Sequence, residues 1–263
     1  MNILLIGDIT GRPGREIIKE LLPELKKKEK IDFTIANAEN SAGGSGITPD
    51  TYEELTDAGV DVLTSGDHIW KQKQVLDIIN IESNLLRPAN YPAKTPGSGF
   101  GVFKTQKGIP VGVINLMGRV FMQPAVNCPF RCATECIKII EKQTKIILVD
   151  IHAEATSEKV AMGWYLNGLV SGIVGTHTHV QTADEKILSK HTAYITDLGM
   201  TGPFDSVIGR KKEQVLARFL SCMPVRFQVA DKDVRLNGAI VTIDEKTGKA
   251  TAIKRVNIAK NSS

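Results

Sequence analysis

Five short segments of this 263-residue chain hold carboxylate, amide or imidazole side chains beside small residues. They are Gly7-Asp8-Ile9-Thr10-Gly11, Asn37-Ala38-Glu39-Asn40, Ser65-Gly66-Asp67-His68, Asp150-Ile151-His152-Ala153-Glu154 and Gly175-Thr176-His177-Thr178-His179, and they contain four of the five histidines. A carboxylate flanked by glycine reaches a cation with nothing crowding it. The Glu39-Asn40 pair adds one anionic and one neutral oxygen donor, a mixture suited to Mn, Fe or Mg. Asp150 and His152 alternate, so both side chains point the same way if the strand continues. The same reasoning, applied to extended chain, puts His177 and His179 on one side, where metal binding is the economical use of two imidazoles. Taken singly, each has a plainer reading: Asp8 as a turn or helix cap, the glycine run at 43–46 as a connection, His152 as a structural histidine. Together they form a donor set without thiolate, as in hydrolytic sites where two metals about 3.5–4 Å apart share a hydroxide.

Each segment follows a stretch that reads as a strand. Residues 3–6 are a continuous apolar run, as in a buried parallel strand. Ile17, Leu21 and Leu25 then predict a helix covered by lysines, which Pro23 should kink or split. A strand at 32–36, a helix opened by Thr48 as cap and Pro49 at its first position, a strand at 60–65 and a helix from Trp70 to Asn80 continue the alternation. Such βαβαβα order implies a parallel sheet with right-handed crossovers. Residues 84–101 read as loop with strand pieces. Strands follow at 110–115, 146–151, 170–175 and 192–196, with helices near 130–142 and 155–167. The tail at 225–258 is β-rich, with a hairpin turn at Glu245-Lys246-Thr247-Gly248. Chemistry-bearing residues thus fall at successive strand ends, the edge where open α/β sheets bind ligands. No repeat or linker divides the chain, so one domain is expected over 1–263.

Composition narrows the class. Apolar residues make up 42 % and charged residues 24 % of the chain, which excludes a disordered protein. The net charge of +4 suits phosphate-bearing substrates without demanding a nucleic acid. No apolar run approaches the roughly 18 residues of a membrane span. The opening Met-Asn-Ile-Leu-Leu-Ile reads as a strand and not a leader, so the cytoplasm is the expected compartment. Cys128, Cys132 and Cys136 recur every four residues and read as reduced, half-buried thiols along a helix, against an iron–sulfur or thiolate metal site. Cys222 reads as core, and His191 as a loop residue. Glycines at 7, 11 and 14 do not match GxGxxG, which argues against a dinucleotide cofactor. The basic runs Lys26-Lys27-Lys28 and Arg210-Lys211-Lys212 lack an aromatic platform, so nucleic acid is expected only as a substrate. A homo-oligomer stays open.

The order Asp8, Glu39-Asn40, Gly66-Asp67-His68, His152 and Gly175-Thr176-His177-Thr178-His179 resembles the calcineurin-like metallophosphoesterase superfamily, and within it the bacterial YmdB-type phosphodiesterases. The segments at 7–14, 36–40 and 196–203 carry the same resemblance, so it runs through most of the chain. It implies a four-layer α/β/β/α sandwich with metals at one edge of the paired sheets. It also implies two divalent or mixed-valence ions, iron or manganese. Asp8, Glu39, Asn40 and His179 would hold one, and Glu39 would bridge to the other, held by Asp67, His152 and His177. His68 would donate a proton to the leaving oxygen of a cyclic nucleotide or related small-molecule phosphodiester. The family motif normally reads Gly-Asn-His; Asp67 here adds a charge that should tighten metal binding and weaken Lewis acidity. That charge also keeps open a metal-binding regulatory protein with little turnover. Loop 197–206 and Arg12 or Arg15 are expected to shape the pocket.

Overall fold

The computed structural model describes residues 1–260; Asn261, Ser262 and Ser263, the end of the expected 1–263 domain, lie outside the described residues. Alternation along the first strand, β1 (Asn2–Ile6), sets the layers. Ile3 and Leu5 point into an apolar layer shared with Val113, Leu148 and Val174, whereas Leu4 and Ile6 point the other way, towards Ile18, Leu22 and Leu55. A strand buried on both faces must be apolar at every position, which is why residues 3–6 show no polar alternation.

The first sheet contains β1, β2 (Asp8–Ile9), β3 (Ile31–Asn37) and β4 (Val62–Thr64). Helices α1 (Gly11–Lys28) and α2 (Pro49–Asp57) connect them on the outer face. Strand β1 is parallel to β3, and β3 to β4. The second sheet begins with β5 (Phe100–Lys104) and β6 (Pro110–Met117), continues through α3 (Pro129–Ile140), β7 (Ile147–His152), α4 (Thr156–Tyr165) and β8 (Gly172–Thr176), and ends with β9 (Lys186–Ile187) and β10 (Ala193–Ile195). Its order is β5-β6-β7-β8-β10-β9, with β6, β7, β8 and β10 parallel. Helices α3 and α4 cover its outer face through Ile137, Ile140, Met162 and Leu166. The chain then returns to the first sheet with β11 (Met200–Pro203), adds α5 (Lys212–Ser221), and closes with β12 (Val234–Ile243) and β13 (Ala250–Ala259). One edge of β12 pairs antiparallel with β1 and β11, and β13 covers the other. The result is the α/β/β/α sandwich, and no helix of the described residues is long and apolar enough to cross a membrane.

Several local expectations are corrected. Residues 70–80 form turns and a short 3₁₀ helix at Lys73–Asp77 instead of an α-helix. The first helix begins at Gly11 and runs through Pro23 unbroken. Its Pro23 lies on the exposed face, and the helix amide it cannot supply is one hydrogen bond in an eighteen-residue element. Helix α5 and strands β5 and β11 lie where no separate element was expected. Cys222 is exposed, ending α5 in the left-handed region at φ 55°. Cys128 and Cys132 are half-buried and Cys136 is buried, as a thiol row should be, and all four cysteines are free.

Candidate metal centre

The parallel strands of both sheets end at one edge, and the titratable residues stand there. Asp8 follows β1, Glu39 and Asn40 follow β3, and Asp67 and His68 follow β4. His152 is the last residue of β7, and His177 and His179 follow β8. Glu39, Asp67, His152 and His177 each present a ligand atom within 4.8 Å of the others, a group able to hold a metal ion. His152 Nε2 lies 3.2 Å from both Glu39 Oε2 and Asp67 Oδ1, and 3.0 Å from His177 Nδ1. On the other side of Glu39, Asn40 Nδ2 lies 3.0 Å from Glu39 Oε1 and 3.2 Å from His179 Nε2, with Asp8 Oδ1 4.0 Å from that nitrogen. His68 sits at the mouth, its Nδ1 2.8 Å from Asn40 Oδ1 and its Nε2 3.6 Å from Asp67 Oδ2.

The extended geometry expected for the two histidines does not hold. Strand β8 ends at Thr176, and His177 and His179 take positive φ of 101° and 67°. The reversal sends His177 towards Asp67 and His152 and His179 towards Asp8 and Asn40. Non-glycine residues seldom adopt such backbone, and they do so where the surroundings over-determine it. Here the His177 amide donates to Asp8 Oδ2 at 3.1 Å, while Asp197 accepts from the Thr178 amide at 3.2 Å and its hydroxyl at 2.8 Å. Asp197 is in turn paired with Lys159 at 2.6 Å, both fully buried.

Outer hydrogen bonds assign the lone pairs. His179 Nδ1 lies 3.0 Å from the Ile208 carbonyl, which can only accept, so its proton is on Nδ1 and Nε2 faces inward. His177 Nε2 meets Glu154 at 3.2 Å, leaving Nδ1 inward. Thr176 donates its hydroxyl to Asp150 Oδ1 at 2.8 Å and therefore accepts from His152 Nδ1 at 3.0 Å, leaving Nε2 inward. Asp150 also accepts from Asn37 at 3.1 Å and from Thr64, so one buried carboxylate ties β7 to β3, β4 and β8 beneath the centre. Imidazoles oriented through their outer nitrogen by an acceptor are the usual arrangement of metal-binding histidines.

The electrostatics point the same way. Burial opposes charge on His152, but Glu39, Asp67 and Asp8 outweigh it and hold its proton affinity well above the ordinary value. The carboxylates that favour a proton on that nitrogen favour a cation in its place. Burial, with His152 beside it, pushes His177 down to about 4, and burial lowers His179 in the same direction, which favours imidazoles able to donate a lone pair. Burial pushes the Asp8 carboxyl well up, and its Oδ1 is fully buried without a hydrogen-bond partner. An orphaned carboxylate oxygen beside an inward imidazole nitrogen is what a divalent cation would satisfy. Gly66 belongs to the same fit: a Cβ there would collide with the His152 ring and with Glu39 Oε2. The residues present therefore suit a metal.

A cavity of about 620 Å³ opens above the centre, floored by Glu39, Asn40, His68, His177 and His179. Its walls are not those expected. Arg12 and Arg15 line a separate surface hollow, where they pair with Glu16 and Glu54. Loop 197–206 gives way to Val207, Ile208 and Arg210 with one face of α5. Asp197 and Lys159 were missed as positioning residues. A sixth strand-end carboxylate after β10 was the available signal for Asp197; nothing in the sequence around Lys159 marks it as buried.

Comparison with known proteins supplies the remaining finding. The sequence profile of the YmdB-like protein family matches residues 4–256. Over 258 residues, 98 % of this chain and 97 % of the relative, the sequence is 50 % identical to the 2′,3′-cyclic-nucleotide 2′-phosphodiesterase of Bacillus subtilis (strain 168). The crystal structure of a novel phosphatase from Mycoplasma pneumoniae superposes with a TM-score of 0.92 at 37 % identity, covering 98 % of this chain and 93 % of that one. That of a hypothetical protein from Thermus thermophilus gives 0.92 at 38 % identity, covering 99 % and 100 %.

Proposed function

This chain belongs to the YmdB-like protein family, and on that premise we propose that it is a cytoplasmic metal-dependent phosphodiesterase acting on cyclic nucleotides or related small phosphodiesters. Asp8, Glu39, Asn40 and His179 would hold one ion, and Asp67, His152 and His177 a second, with Glu39 shared. Oxygen and imidazole donors without thiolate suit iron or manganese. Ions held by these residues would supply charge to neutralise phosphate oxygens and would lower the pKa of a water beside them. Asn40 would offer its Oδ1 to the ion, with its amide turned over from the orientation in which Oδ1 faces His68. His68 would act on substrate, a role its partial exposure at the cavity mouth supports. As the water oxygen bonds to phosphorus, the bond from phosphorus to the leaving ribose oxygen breaks, and that oxygen takes its proton from His68.

Convergence carries this reading: Glu39, Asp67, His152 and His177 meet within 4.8 Å although they span more than half the sequence. Protein purified without chelator should contain metal by elemental analysis and hydrolyse adenosine 2′,3′-cyclic phosphate. Metal-loaded protein with no turnover of any cyclic or aryl diester would favour the regulatory reading that Asp67 keeps open. His68→Ala should keep its metal and lose about 10²–10⁴-fold in turnover of a diester with a poor leaving group. Unchanged turnover would remove His68 from the mechanism.

A further inference from the structure

One wall of the cavity is left unused by the chemistry of its floor. Helix α5 presents Val215, Arg218 and Phe219 to the cavity at helical i, i+3, i+4 spacing, and Ile208 and Phe227 extend the surface. Phe219 is 77 % exposed, so its ring stands in water at the cavity rim. Arg218 lies over the Phe227 ring, 5.4 Å from its centroid. Arg218 has no carboxylate partner among the described residues, so its charge is open to an anion in the cavity. Arg210 on the same wall also lacks one, donating instead to the carbonyls of Gly43 and Gly44. A free aromatic face and a guanidinium held over a second ring are two devices that bind single-stranded nucleotides.

We propose that this wall is a second subsite, where a nucleobase stacks on Phe219 and a second phosphate meets Arg218. The preferred substrate is then a short oligonucleotide ending in a cyclic phosphate, not a free cyclic mononucleotide. The inference rests on the phosphodiesterase reading of the floor. A cyclic mononucleotide carries one phosphate, which the floor engages, leaving Arg218 without an anion to meet. A cavity of about 620 Å³ lies within the range that encloses small ligands. Stacking reads no base identity, so little sequence preference is expected.

The test compares, with full-length metal-loaded protein, an adenylyl dinucleotide ending in a 2′,3′-cyclic phosphate with adenosine 2′,3′-cyclic phosphate. The dinucleotide should have a kcat/KM about ten-fold higher or more. Phe219→Ala should remove about ten-fold of that advantage and Phe219→Trp should restore it. Arg218→Gln should flatten the salt dependence of the dinucleotide KM. Calorimetric binding of the hydrolysed products, the dinucleotide and the mononucleotide each ending in a 3′-phosphate, separates this proposal from the one beneath it. Tighter dinucleotide binding that depends on Phe219, in a protein without turnover, supports the subsite and sinks the phosphodiesterase reading. Equal kcat/KM and equal product affinity overturn the subsite, as does Phe219→Ala altering only molecular mass by light scattering, which would assign α5 to contact between copies.

Discussion

Asp67 is the residue on which the chemistry of this centre turns most directly. Burial alone would raise its carboxyl, but the hydrogen bond and charge of His152, with His68 and His177 nearby, hold it well below the usual range. Its charge is therefore permanent at any working pH. A fixed negative charge against a divalent cation strengthens binding and leaves less positive potential to acidify the nucleophilic water. Asp67→Asn should consequently bind metal more weakly, and the acidic limb of its pH–rate profile should move to lower pH, because the water ionises more readily. A limb that stays in place or moves up would show that Asp67 does not face the reacting oxygen. Thr176 is a second residue whose effect is indirect. It passes the orientation set by Asp150 to His152 Nδ1. Thr176→Val keeps the shape and removes the relay, and should weaken metal affinity about 10–100-fold by titration with a chelator. At this scale the sequence was informative because ligand types announce themselves: Glu39-Asn40 and the paired histidines are identifiable from chemistry and spacing. Which nitrogen faces inward was not legible for His179 and His152, since the acceptors that decide it, at Ile208 and Thr176, are a carbonyl and an uncharged hydroxyl.

Among the elements, the turn that carries His177 and His179 depends most on distant support. Its backbone is held by Asp197, whose countercharge, Lys159, comes from α4. Gly175 makes the arrangement fit, since a Cβ there would collide with the Thr196 carbonyl and lie 2.8 Å from the Lys159 stem. Breaking a buried pair by removing one partner leaves an uncompensated charge and costs about 3–5 kcal/mol. Lys159→Met should lower unfolding stability by that amount in urea titration and also weaken metal binding, because the histidine turn loses its anchor. Adding Asp197→Asn should cost less than the sum of the two changes. If metal affinity is unchanged in a destabilised Lys159→Met, the pair is structural only. Long apolar runs made β1, β7 and β8 legible, since burial on both faces leaves one composition. The stretch at 70–80 was misread because Val75, Ile78 and Ile79 fall at helix-like i, i+3, i+4 spacing, while the chain there turns to pack Ile69, Val75 and Ile79 under the first sheet. Helix α5 was overlooked although Val215, Leu216, Phe219 and Leu220 recur at helical spacing; in the fold only Val215 is buried, and the other three stand exposed.

For the whole molecule, the edge that gathers the ligands exists only because two sheets pack face to face, and the last segment of chain secures one of them. Strand β1, which aims Asp8, is paired on one side by β3 and on the other by β12, with the Met1 amine donating to the Ile243 carbonyl. Ala239, Val241 and Ile243 of β12 enter the layer between the sheets, beside Ile3 and Leu5. The β-rich tail was visible in the sequence, but its place was not. Strand pairing across more than 230 residues leaves no local mark, and connection rules favour neighbours in sequence. The two C-terminal strands can therefore be separated by experiment. Ending the chain before β13 removes a strand whose partner β12 keeps its contact with β1. That variant should unfold cooperatively at lower denaturant and still bind metal. Ending it before β12 exposes the edge of β1 and opens the inter-sheet layer, an unpaired edge of the kind that aggregates. The shorter variant should show no cooperative transition by circular dichroism and retain no stoichiometric metal. A folded, metal-binding chain without β12 would mean that β3 and the facing sheet suffice to aim Asp8, and that the long-range closure serves some purpose other than the centre.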